Sequence, residues 1–143
     1  VIAVDSNLLV YAHRADFRQH DLALPLLRKL CEGRIPWGLP WPCLHEFYRV
    51  VTQPGLPFVP SEPELALAAI ESWTQAPSCQ LLAEGPAYLA QLRTLVMSTR
   101  PTGALIHDTK IAAICLSHGV SELWTADRDF SRFPALRTRN PMR

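Results

Sequence analysis

Short apolar runs alternate with longer stretches of helical periodicity along the chain, and this alternation restricts the fold more than any other feature. Val1 to Val4 is continuously apolar and ends in Asp5-Ser6-Asn7, the pattern of a buried first strand that delivers polar residues at its carboxyl end. Leu8 to His13 continues apolar as a helical turn, and Arg14 to Asp21 is polar and loop-like. Leu22 to Leu30 has apolar residues at 22, 23, 26, 27 and 30, which is helix spacing, and Pro25 falls early enough to sit in a first turn. A short strand is expected at Ile35 to Gly38. Pro40 and Pro42 then frame a helix to about Thr52 whose apolar face takes Leu44, Phe47, Tyr48 and Val51. Gln53 to Pro60 is a breaker-rich loop, after which Ser61 reads as the N-cap of a helix to about Trp73, with Glu62 and Glu64 in its first turn. Cys79 to Leu82 reads as a strand and Glu84 to Met97 as a helix. Leu105 to Ser117 reads as a further helix, ended by His118-Gly119. Glu122 to Thr125 is a strand, Arg128 to Phe133 a turn or short helix, and Leu136 to Arg139 a last edge strand. Strands that alternate with helices predict an α/β fold with a mostly parallel sheet covered on both faces. A chain of 143 residues suits a single domain over 1–143.

Composition excludes several classes. Hydrophobic residues make up 48% of the chain, enough for a packed core and too many for disorder. The net charge of +1 neither announces nor excludes a nucleic-acid partner, because distribution matters more than the sum. Cys31, Cys43, Cys79 and Cys115 show no CxxC spacing, so a zinc knuckle is not expected, and three of them stand next to apolar residues and read as small core hydrophobes. The first ten residues carry Asp5 and no basic lead, unlike a signal peptide, and no apolar run reaches membrane-spanning length; a cytoplasmic protein is the expectation.

The acids sit where a structural reading would not ask for them. Asp5 closes the first strand, at the edge where open α/β sheets bind ligands, although it could equally cap the following helix. Glu46 lies beside the apolar face of its helix, which suits either a partnered acid or a solvated rim. Asp108 falls near a helix start, next to His107 and close to Lys110, where a dipole role would also explain it. Asp127 and Asp129 follow the last confident strand, in a stretch that a turn would also explain. Parallel strands all end on one edge and helices enter from it, so Asp5, Asp127 and Asp108 can meet there. Such a gathering of like charge asks for a cation, and oxygen donors select Mg²⁺ or Mn²⁺. The matching chemistry is phosphodiester hydrolysis. No Ser-His-Asp or Cys-His arrangement competes, and His45 beside Glu46 could line a substrate path.

Four stretches, VIAVDSNLLVYA, CLHEFYRVVT, HDTKIAAICLSHGV and ELWTADRDFSRFPALRTRNP, follow one another from Val1 to Pro141. In order and spacing they resemble the PIN-domain family, and more closely the VapC-type toxin ribonucleases of toxin–antitoxin modules. The resemblance implies a three-layer α/β/α sandwich and Mg²⁺-dependent (or Mn²⁺-dependent) endonucleolytic cleavage of RNA. It also implies a homodimer, and a cognate antitoxin whose peptide arm reaches the site. It makes Asp5, Glu46, Asp108 and Asp127 the catalytic acids, with Asp129 the alternative to Asp127 and a further candidate metal ligand beside Asp5, Asp108 and Asp127. Ser6 and Thr125 match hydroxyls that steady carboxylates or a water, and Asn7 holds the turn after the strand. The loop 53–60 is then the candidate for a substrate-facing or partner-facing element. An apolar surface for a partner or second subunit is expected on Leu22 to Leu30 or Leu65 to Trp73.

Other readings fare worse. A haloacid-dehalogenase-like phosphatase needs a second Asp where Asn7 stands, a receiver domain needs an acidic pair near its first strand, and a dinucleotide site needs a Gly-rich turn. A non-catalytic RNA- or protein-binding PIN module, or a structure-specific DNA nuclease on the same fold, stays open as an alternative.

Overall fold

The computed structural model describes residues 1–143. In chain order the elements are β1 (Ile2–Val4), α1 (Ser6–His13), α2 (His20–Glu32), β2 (Trp37–Pro40), α3 (Trp41–Thr52), α4 (Pro63–Thr74), β3 (Cys79–Leu82), α5 (Tyr88–Thr99), α6 (Leu105–Ser117), β4 (Glu122–Trp124), a 3₁₀ turn (Arg128–Arg132) and β5 (Thr138–Arg139). The five strands form one sheet in the order β3-β2-β1-β4-β5, and every neighbouring pair is parallel. Helices cover both faces, which is the α/β/α sandwich the alternation predicts.

The pleat explains how one short strand serves two cores. Successive side chains of a strand point to opposite faces. Ala3 therefore joins Leu123, Leu95 and the run Ile111 to Cys115 under α5 and α6, while Val4 joins Leu8, Leu27, Trp37, Leu39, Phe47 and Trp73 under α1 to α4. Gly38 lies between Trp37 and Leu39 on the face that carries Leu82. A Cβ there would come within 2.7 Å of the Leu82 side chain, so Leu82 packs over the space that glycine leaves open on this face.

Several sequence expectations shift when the chain folds. The second strand runs Trp37–Pro40 and not Ile35 to Gly38: Ile35 is 80% exposed, and Pro36 has no N–H for a ladder. Pro40 then serves as the last residue of β2 and the first flank of α3. Tyr48 does not join the apolar face of α3 but is 37% exposed, since Leu44, Phe47 and Val51 already fill the buried stripe. Ser61 does not cap α4; Glu62 occupies that position, and the buried Ser61 hydroxyl instead meets His13 Nε2 at 3.0 Å and Arg14 Nη1 at 3.1 Å. The fifth helix starts at Tyr88 because Gly85-Pro86 first makes a turn, closed by the Tyr88 amide donating to the Gly85 carbonyl at 3.0 Å. The last strand keeps only Thr138–Arg139 of the expected four residues. No helix is long and apolar enough to cross a membrane.

Candidate functional site

From β1 the chain builds outward to β2 and β3, then returns through α5 and α6 to lay β4 on the other side of β1. The strand order reverses between β1 and β4, and in open parallel sheets the crevice beyond the carboxyl ends at that point is where ligands bind. The Asp5 amide donates to the Trp124 carbonyl at 2.9 Å, so the two strand ends are tied together at the crevice floor.

Asp5 does both things its position allowed. Its carboxylate caps α1 by accepting from the Ser6 amide at 2.7 Å, and it also lines the crevice. Three more donors converge on it: the Thr125 hydroxyl at 2.7 Å, the Asn7 amide at 3.3 Å and the Cys43 thiol at 3.5 Å. An ionised carboxylate has about four lone-pair sites, so this set fills it. The contacts from Asn7 and Cys43 are the two longest of the four. Even so, burial pushes the Asp5 carboxyl above its usual range; the Thr125, Ser6 and Cys43 hydrogen bonds pull the other way, and Asp127 adds a repulsion. The Thr125 hydroxyl is itself fully used, donating to Asp5 and accepting from Asn7 Nδ2 at 3.2 Å and the Asp127 amide at 3.0 Å. Asn7 Oδ1 accepts from the Ala126 amide at 3.1 Å, so Asn7 does more than hold its own turn: it staples α1 to the loop after β4.

The remaining acids come from three elements. Asp108 sits in the first turn of α6. Asp127 flanks the 3₁₀ turn and accepts from the Asp129 amide at 2.8 Å. Carboxylate oxygens of Asp108, Asp127 and Asp129 all lie within 4.8 Å of one another. Burial raises the Asp108 pKa, Asp127 and Asp5 raise it further, Arg132 opposes and Asp129 adds to the rise. Glu46 stands apart from this trio. Arg49, one turn on in α3, grips it with two guanidinium nitrogens, Nε at 3.0 Å from Oε2, and also donates to Gln53 at 3.0 Å. That hydrogen bonding holds the Glu46 carboxyl below its usual range.

Asp5, Glu46, Asp108 and Asp127 nevertheless line one pocket of about 570 Å³, together with Ser6 and Asn7. Asp129 belongs to the carboxylate trio but not to the pocket wall. Interspersed with the acids, His45, Arg49, His107 and Lys110 also line the pocket. The donor set suits a hard divalent cation: carboxylate oxygens converge with no thiolate among them, and two of the acids are held in a state where charge is costly. Sequence reasoning gave neither Arg49 nor Cys43 a role in the site. The Arg49 contact has a signal, an acid and a base three residues apart on a helix. The Cys43 contact has none, because it depends on the start of α3 meeting the end of β1.

Comparison with known proteins agrees with this geometry. The family model for the PIN domain matches residues 2–136. Ribonuclease VapC43 of Mycobacterium tuberculosis is 37% identical over 99% of this chain and 96% of its own length. Two solved structures share the fold at 16% identity: Mycobacterium tuberculosis VapC20, described as a sarcin-ricin loop cleaving toxin, at a TM-score of 0.66 over 92% of this chain and 93% of its own, and VapBC2 of Rickettsia felis bound to a promoter DNA fragment, at 0.68 over 96% of each chain. The chain, with its acids gathered at the crevice of a parallel sheet, belongs to the PIN-domain family and is homologous to the VapC ribonucleases.

Proposed function

We propose that this protein is a Mg²⁺-dependent endoribonuclease and the toxin of a toxin–antitoxin pair. One observation carries the reading: Asp5, Glu46, Asp108 and Asp127, far apart in the chain, line one pocket, and two of them, Asp108 and Asp127, bring carboxylate oxygens within 4.8 Å of each other and of Asp129 beside it. Asp108, Asp127 and Asp129 are the residues that would hold Mg²⁺ or Mn²⁺, with Asp5 completing the set from the pocket floor. The chemistry such a cation supplies is a lowered pKa for bound water and neutralisation of charge developing on the phosphate. Thr125, Ser6 and Asn7 fix the Asp5 carboxylate so that it is already oriented. Glu46, gripped on both oxygens by Arg49, would face the substrate from α3 as the fourth acid of the pocket. Lys110, which makes no ion pair, would counter the phosphate charge as substrate enters. The VapC kinship supports RNA as substrate and a cognate antitoxin as partner. Leu22, Leu65 and Leu67, each more than half exposed on α2 and α4, are candidate surface for that antitoxin or a second copy of the chain.

The test is incubation of the purified chain with total RNA in Mg²⁺, Mn²⁺ or EDTA, followed by mapping of the new ends. Defined cuts are expected only with a cation, and none on the matching 2′-deoxy strand. Asp5→Asn should lower the rate by about 100-fold or more while the protein stays folded, the scale of losing a group that acts in the transition state. Undiminished cleavage by that variant, or binding of RNA that is indifferent to cation with no cutting, would replace the nuclease reading with a binding module. Growth arrest on induction, relieved by the product of a neighbouring gene, is the expected behaviour of the toxin; sedimentation gives the oligomeric state.

A further inference from the structure

Beside the acidic pocket lies a second, smaller hollow of opposite charge. It has a volume of about 160 Å³ and shares the Asp127 wall with the pocket; Arg128, Arg139 and Arg143 line it, with Thr138 and Asn140. The three guanidiniums have no partner. Ion pairs in the structure are Arg14–Asp16 and Arg49–Glu46, and guanidinium hydrogen bonds come only from Arg14, Arg49 and Arg132. All three side chains are exposed, so three uncommitted positive forks gathered at one hollow are open to an anion arriving from solvent.

The hollow is fixed by the fold. Its strand side is β5, held to β4 through the Leu123 amide on the Arg137 carbonyl at 2.8 Å and the Thr125 amide on the Arg139 carbonyl at 2.9 Å. Beyond β5 the chain turns back: Asn140 Oδ1 accepts from the Met142 amide at 3.1 Å, the Arg143 amide reaches the Asn140 carbonyl at 3.3 Å, and the Met142 side chain packs on the core. This turn brings Arg143 round to the hollow that Arg128 approaches from the 3₁₀ turn.

We propose that this hollow is a phosphate subsite, which holds the phosphodiester next to the one that is cut. It rests on the nuclease reading for what lies in the acidic pocket, and it narrows the substrate to a polynucleotide with at least two consecutive phosphates. Guanidinium forks match phosphate oxygens in geometry and charge, and the Thr138 hydroxyl and Asn140 amide add neutral donors of the kind that position a backbone without reading sequence. No aromatic side chain lines the hollow, so a base has nothing to stack on there. The two sites join at Asp127, so a strand with one phosphate over the acids would place its neighbour among the arginines.

The experiment compares the wild type with Arg139→Gln/Arg143→Gln. Binding of a short fluorescein-labelled single-stranded RNA is followed by anisotropy across a salt series in Ca²⁺, and cleavage of RNA and of a dinucleoside monophosphate is followed in Mg²⁺. Loss of one phosphate contact should weaken RNA binding about tenfold and flatten the plot of log affinity against log salt by about 0.7. Cleavage of the dinucleoside monophosphate, which has no second phosphate, should stay unchanged. Arg139→Lys/Arg143→Lys should keep the salt slope and recover part of the affinity. Unaltered RNA affinity and slope in the Gln variant would overturn the proposal, as would an equal fall in dinucleoside cleavage. Loss of affinity for an acidic peptide but not for RNA would also overturn it, and assign the hollow to a protein partner. Arginine-dependent RNA binding by a wild type that cuts nothing in Mg²⁺ would leave the subsite standing and remove the nuclease reading instead.

Discussion

Thr125 carries more of the site than its size suggests. Its one hydroxyl donates to the buried Asp5 carboxylate and accepts from Asn7 and from the Asp127 amide, so a single oxygen sets the relative positions of two proposed cation ligands and the staple between α1 and the β4 exit. Thr125→Val keeps the shape and removes every one of these bonds. Asp5 then loses its shortest side-chain donor in a place where burial already makes its charge costly. The expected loss is about 1–3 kcal/mol of stability, the scale of leaving a buried polar group short of a partner, measured by urea unfolding. Mg²⁺-dependent cleavage should fall further than this instability explains, because the loop that carries Asp127 is released. Thr125→Ser keeps the oxygen and should restore most of both. If the valine variant cuts RNA at the wild-type rate, the hydroxyl has no positioning role.

At the scale of elements, legibility followed the range of the forces involved. The strands β1, β3 and β4 were readable as short, largely apolar segments between breaking residues, and the carboxyl ends of β1 and β4 told where Asp5 and Asp127 would meet. The helix start read from Pro40 and Pro42 held at α3, but the bounds of β2 did not, because Pro40 closes the strand and flanks the helix at once. Ser61 followed the N-cap rule in sequence but not in space, since no local pattern shows that a residue 48 positions away will compete for its hydroxyl. The contact that won ties the end of α1 to the segment before α4 and brackets the proline-rich loop, whose Phe58 ring lies 4.4 Å beneath the Arg14 guanidinium. Ser61→Ala should cost about 1–2 kcal/mol, since two partners are left without it. His13 makes this junction pH-sensitive. Burial lowers its pKa below 6.5, and Arg14 and His20 lower it further. A histidine with a depressed folded pKa is neutral in both states above pH 6.5. Below that value the unfolded chain takes the proton first, so stability is lost as pH falls from 6.5 through the folded pKa. Thermal melts of the wild type should therefore drop more between neutral and mildly acidic pH than those of His13→Gln. Parallel curves would mean that another group governs the acid side.

The whole molecule is arranged so that folding concentrates negative charge at one crevice, and stability and cation binding therefore oppose each other there. Asp108 shows the balance. Its place in the first turn of α6 favours a negative charge by about 0.3–1 kcal/mol, yet its pKa is raised by burial and by Asp127, Asp5 and Asp129, so the surroundings as a whole disfavour the charge. An acid with a raised folded pKa contributes stability below its unfolded value of 3.8, and that contribution is lost as pH rises through the folded pKa. At neutral pH without cation, Asp108→Asn should therefore melt higher than the wild type, and the advantage should vanish below pH 3.8, where the wild type carries the proton itself. A cation reverses the order. Ligand at about ten times its dissociation constant stabilises a folded protein by about 1.4 kcal/mol, which for a chain of 143 residues is a rise of about 4 °C. The wild type should show that rise in Mg²⁺, and Asp108→Asn should show little of it, so the two melting curves exchange places between EDTA and Mg²⁺. Melts that keep one order in both buffers would mean that the aspartate trio is a strained surface feature and not a cation site, since only a bound divalent ion converts the repulsion among Asp108, Asp127 and Asp129 into attraction.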